Sequence, residues 1–184
     1  MVLNNKSEKI IDVLLVCEGF MTNFHVQNFR IKRIKSILDK NNFNSMIFPY
    51  IENLPTFLQR KSRLVQILRR IYLIPAIINL IFRQRIKNII VRDAQIGVIV
   101  LILAKLIGIR TFYDFHGLIY EEELYEGQKL KALFYGLPEL ICLRNYDKII
   151  SQTKSNMKIS RNYNKSALII ENGISLEDFN KSDT

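Results

Sequence analysis

Short apolar runs alternate with longer stretches of helical period along this chain. Ile10 to Cys17 (IIDVLLVC) is apolar but for one Asp and predicts a strand buried on both faces. Thr22 or Asn23 can cap a helix over about Phe24 to Lys40, with Phe29, Ile31, Ile34, Ile37 and Leu38 in apolar positions. Asn41-Asn42 breaks it, and Ser45 to Ile51 predicts a second strand. A long helical region follows from about Pro55 to Ile86, kinked or split at Pro75. Asn88 to Arg92 is a third strand and Ala94 to Ile107 a helix that stops at Gly108. Arg110 to Phe115, Asp147 to Ser151 and Ala167 to Glu171 complete the strands. Helices over Gln128 to Asn145, interrupted at Pro138, and near Ser155 to Asn162 separate the last three.

Such alternation implies βαβ units, hence a parallel sheet of about six strands with helices on both faces. Ligands of open parallel sheets bind at the carboxyl ends of the strands. Here those ends are Glu18-Gly19-Phe20, Arg92-Asp93, His116-Gly117, Ser151 and Asn172-Gly173. The candidate chemistry collects on one edge of the sheet.

Composition sharpens this picture in three ways. With 184 residues, 48% hydrophobic and 24% charged, the chain suits one well-cored domain. The net charge of +10 is uneven: residues 1–110 carry 18 Lys and Arg against 6 Asp and Glu, and residues 111–184 carry 9 against 11. The first part therefore favours an anionic partner, a membrane surface or a nucleic acid, and no recognition motif for a nucleic acid is present. Cys17 and Cys142 both lie in apolar context, which suits buried reduced thiols more than a disulfide. The start, Met1 to Lys9, is polar with no leader pattern, so a cytoplasmic location is expected. The apolar segments Ile71 to Phe82 and Ile96 to Ile109 fall short of the roughly 20 residues that cross a bilayer.

Among individual residues, His116 is the leading candidate. It follows a strand ending Phe-Tyr-Asp-Phe and should sit at the cleft edge, where a neutral imidazole can bond a sugar hydroxyl or phosphate and an imidazolium can stabilise a leaving anion. A purely structural histidine is the competing reading. Gly117 permits a sharp turn after it, and Glu121 to Glu123 suit the start of a helix. Asp114-X-His116 is a partial metal pattern without a third ligand, so no metal and no cofactor are expected. The dinucleotide fingerprint, the P-loop and the serine elbow are all absent.

Asp114-Phe115-His116-Gly117 with Glu121-Glu122, then Glu139, Asp147, Ser151, Ser155-Asn156-Met157 and finally Asn172-Gly173-Ile174 with Phe179, resemble in order and spacing the retaining, family-4-type glycosyltransferases of the GT-B fold. Departures are Ser175, where the usual hinge has Asp, and the single Gly19, where the family commonly has a glycine-rich loop. The resemblance implies a Rossmann-like acceptor-side domain over residues 1–171 and the start of an interdomain hinge over 172–184, with the donor-side domain missing. It implies that His116 contacts the transferred sugar, that Gly19, Asp93 and Gly117 line the acceptor side, and that Glu139, Asp147 and Ser151 organise the fold. A nucleotide-sugar donor would then bind only with a C-terminal domain or a partner chain, and the acceptor would be a glycan or a lipid-linked molecule.

Between Arg60 and Lys87, cations surround an apolar stripe that includes Leu64, Ile67, Leu68, Ile71, Ile74, Ile78 and Ile81. One reading is an interfacial helix in which Arg63, Arg69 and Arg70 meet anionic headgroups at the inner face of the cell membrane. The other is a core helix with a solvated basic rim. The alternative function is a non-catalytic, membrane-associating subunit of a separate enzyme chain.

Overall fold

The computed structural model describes residues 10–17, 26–49 and 74–170. The elements run β1 (Ile10–Cys17), α1 (Val26–Lys40), β2 (Ser45–Pro49), α2 (residues 74–83), β3 (Arg85–Val91), α3 (Ala94–Ile107), β4 (Arg110–Phe115), α4 (Ile119–Tyr125), α5 (Lys129–Asn145), β5 (Lys148–Ser151), α6 (Lys154–Arg161) and β6 (Ala167–Ile169). The six strands form one all-parallel sheet in the order β2-β1-β3-β4-β5-β6. This is the expected Rossmann-like α/β architecture. Chain direction across the sheet reverses between β1 and β3, which makes the carboxyl ends of those strands the switch point where such sheets take ligands.

Both faces of the sheet are apolar because a strand sends alternate side chains to opposite sides. Leu14 and Val16 of β1 join Ile89, Val91, Tyr113, Phe115 and Ile149 in a core closed by Ile77 and Ile81 of α2, Ile96, Val100 and Leu101 of α3, and Leu143 of α5. Val13, Leu15 and Cys17 face the other way, with Ile90 and Ile150, onto Ile31 and Ile34 of α1.

Several element limits differ from the pattern reading. β3 starts at Arg85 rather than Asn88, and the preceding helix stops at 83 rather than 86. Ile10 and Ile11 pair with Arg85 and Ile86, and the exposed-buried-exposed order of Arg85, Ile86 and Lys87 is strand period rather than helix period. α5 runs through Pro138 without interruption. A proline removes one N–H, and the carbonyl it would have served belongs to Phe134, on the outward side of the helix. α4 is a separate short helix ahead of α5.

α5 packs in an unusual sense. It turns small or polar side chains inward, Ala132, Gly136, Glu139 and Cys142, and leaves Leu130, Leu133, Phe134 and Leu137 more than half exposed. Its inner contacts place Cys142 Sγ 3.4 Å from the Ala94 carbonyl and Tyr146 Oη 2.8 Å from the Gly97 carbonyl. The last turns of α5 therefore pack on the first turns of α3. α4 packs along the earlier part of α5, with Tyr120 against Gly136.

No described helix is long and apolar enough to cross a membrane. Ile77 and Ile81 sit in the core, so the described end of the basic helical region is a core helix followed by exposed Arg83, Arg85 and Lys87. Arg63, Arg69 and Arg70 lie outside the described residues, as do Gly19 and the stretch 171–184.

Candidate functional site

β4 carries the site. Its last turn of alternation sends Phe115 into one core and Asp114 toward α1, where Asp114 is fully buried. Arg30 of α1 meets it in a fork: Nε lies 2.9 and 3.0 Å from the two carboxylate oxygens and Nη2 donates to Oδ1 at 2.6 Å. Arg30 Nη1 also donates to the Ile170 carbonyl at 2.8 Å, at the end of β6. One guanidinium thereby fixes α1 to the carboxyl ends of two strands. The bidentate geometry compensates the cost of burying both charges, which an isolated ion could not bear. With its oxygens engaged by Arg30, Asp114 is not available as a metal ligand. Among the described residues no three His, Cys, Asp or Glu side chains cluster to hold a metal.

His116 follows immediately. The β5–α6 segment clasps it at two points: the Gln152 carboxamide nitrogen sits on the ring Nδ1, and the Asn156 carboxamide donates to the His116 carbonyl. Asn156 is itself set in the first turn of α6, where Thr153 caps the helix by accepting from the Asn156 N–H at 3.1 Å. The other ring nitrogen, Nε2, is buried and has no partner among the described residues.

Burial lowers the His116 pKa to about 4; the Arg92 cation pushes the same way, Asp114 opposes, and Arg30 adds a smaller effect. The ring is therefore neutral near pH 7, and of the two forms considered from sequence the imidazole is the one present. Arg92, half-buried just past the end of β3, has its own pKa lowered by burial. Two guanidiniums and one carboxylate thus surround a neutral imidazole, a setting that favours a ligand oxygen bearing partial or full negative charge.

Of the other expected residues, Asp93 and Gly117 fall on the same edge with distinct duties, and Asp147 lies at the opposite, amino end of β5. Asp93 caps α3, accepting from the Ile96 N–H at 2.9 Å, so its carboxylate serves the helix terminus. Gly117 has φ of 151°, which a side chain rarely adopts, although an added Cβ would meet nothing within 4 Å. The requirement at this position is conformational. Beyond the turn, Leu118 starts α4 without a capping side chain. Glu139, reaching across from α5, supplies one: its Oε1 accepts from the Ile119 N–H at 3.4 Å. Burial raises the Glu139 pKa to about 7, partly offset by the Ile119 and Tyr120 N–H groups. Asp147 ties β5 to β4 by accepting from the Thr111 N–H and hydroxyl at 2.7 and 3.0 Å. Ser151 shares a buried hydrogen bond with Ser160.

Sequence reasoning missed Arg30 and Gln152, placed Arg92 at a strand end without giving it a role, and named Asn156 only within the resemblance. Arg30 had a signal: it occupies the inward stripe of α1, four residues before Ile34, while Asp114 is the one acid in an otherwise apolar strand end. Gln152 and Asn156 lie in a polar loop and a helix start, where no periodicity marks one side chain over its neighbours.

Compared with known protein families and with curated proteins, the chain matches none.

Proposed function

We propose that this protein is the acceptor-binding domain of a retaining, GT-B-type glycosyltransferase, acting on a glycan or lipid-linked acceptor with a nucleotide-sugar as donor. The observation that carries the proposal is His116: a neutral imidazole held on a strand end at the ligand edge of a parallel sheet, with Nε2 buried and without a partner among the described residues and Arg92 beside it. A hydroxyl-rich substrate satisfies that nitrogen, and the nearby guanidiniums favour the phosphate-bearing side of a donor or a lipid-linked acceptor. The order of His116, Gly117, Glu139, Asp147 and Ser151 along the chain supports the same assignment. Association with an anionic membrane through Arg63, Arg69 and Arg70 belongs to this proposal, as does an acceptor contact from Asp93 and Gly117.

The test is His116→Ala in the chain joined to a donor-binding domain. Turnover is expected to fall by about 10²-fold or more, the usual effect of losing one preorganised polar contact to developing charge, with the circular dichroism spectrum unchanged. An unaltered rate would remove His116 from the chemistry and the proposal with it.

A further inference from the structure

The two contacts that β5–α6 makes to His116 differ in consequence. The Asn156 bond to the backbone carbonyl fixes where the residue sits. The Gln152 contact is to the ring and bears on its proton. A neutral imidazole has one N–H and one bare nitrogen, and its second partner decides which is which. A carboxamide nitrogen can only donate, so the ring nitrogen it faces must be the bare one. The single ring proton then resides on Nε2, the buried nitrogen that has no partner among the described residues.

We propose that Gln152 is a positioning residue that holds His116 as its Nε2–H tautomer, so that the site offers its ligand a neutral hydrogen-bond donor. The ligand atom that completes the site is then a lone-pair oxygen: a sugar hydroxyl accepting a hydrogen bond, or a phosphoryl oxygen. His116 in this state cannot serve as a general base through Nε2, because that nitrogen already carries the proton. The surroundings agree. His116 faces Arg92 from β3, Arg30 from α1 and Asp114 from its own strand, and Asp114 is already engaged by Arg30. An oxygen ligand would sit among donors, and a ligand N–H would find no acceptor at Nε2.

The inference rests on the proposed function only in naming a sugar, since the tautomer can be read in the chain alone. The chain has two histidines, His25 and His116, so ¹⁵N-histidine NMR with a His25→Gln variant assigns both rings. At pH 8 the wild type is expected to show a protonated Nε2 and a bare Nδ1 at His116. Gln152→Glu replaces the donor with an acceptor-only carboxylate, so Nδ1 should gain the proton, whether in the reversed tautomer or in an imidazolium. Amide signal dispersion reports whether the variant is folded. A proton on Nδ1 in the wild type overturns the proposal, and so does a bare Nδ1 in a folded Gln152→Glu variant. If that variant fails to fold, the wild-type spectrum still decides. A chain that shows the expected tautomer yet transfers no sugar when joined to a donor domain would retire the glycosyltransferase reading and leave the donor site standing.

Discussion

Arg30 and Asp114 show how much one buried pair can organise. The charges lie below the surface, at 4% and 0% side-chain exposure, where water cannot replace a missing partner. Removing either leaves the other ionised and stranded, which typically costs about 3–5 kcal/mol. Asp114→Ala and Arg30→Met are each expected to lose stability of that order by urea unfolding. The double variant should lose clearly less than the sum, because no stranded charge remains. Additive losses would show that the two side chains do not act as a unit. The pair was legible in principle from an acid in an apolar strand and a base on an apolar helix stripe. His116 was legible from its strand end. Gln152 was not, because the proton arrangement of a ring depends on a contact between segments 36 residues apart.

At the scale of elements, the alternation of strand and helix was readable because strands buried on both faces are written as unbroken apolar runs. Element ends were harder, since β3 follows α2 after the single residue Gln84 and its pairing with β1 sets where the strand begins. The inward face of α5 was also hidden: large apolar residues are expected to mark the core side, and here, apart from Leu143 near its end, small or polar ones do. Close approach to α4 explains this. A Cβ on Gly136 would lie 2.8 Å from Tyr120 Cβ, an atom near the backbone that has little room to yield. Gly136→Ala should therefore destabilise by about 1 kcal/mol or more, with the clash outweighing the helix propensity gained. Leu133→Ser, on the exposed side, should stay within roughly 0.5–1 kcal/mol of wild type. A thermal melt of both variants checks this, and the reverse ranking would mean the helix packs by its large side chains after all.

For the whole molecule, two buried groups oppose each other in pH. Glu139, raised to about 7 from 4.5, binds its proton more tightly in the folded state; its support is complete below about pH 4.5 and is lost as pH rises through 7. His116, lowered to about 4 from 6.5, gives support that is complete above about 6.5 and is lost as pH falls through 4. Their windows overlap, so stability should be nearly flat between about pH 5 and 6.5. Glu139→Gln keeps a capping oxygen and should expose the loss toward acid; His116→Gln should expose the loss toward neutrality. Each slope should be at most about 1.4 kcal/mol per pH unit. Urea midpoints at several pH values test this, and parallel curves for all three proteins would contradict it.

The sheet also separates the two cysteines, neither of them in a disulfide. Cys17 lies in the core beneath α1, and Cys142 in the opposite core where α5 meets α3, each essentially sealed from water. A disulfide between them would have to pass through the sheet, so oxidation cannot cross-link the native chain. Each sulfur instead reports the opening of its own side. The rate at which a small alkylating reagent reaches Cys17 measures how often α1 lifts, and the rate at Cys142 measures how often α3 and α5 part. Equal rates would mark a molecule that opens all at once; unequal rates would mark one whose two faces come apart independently.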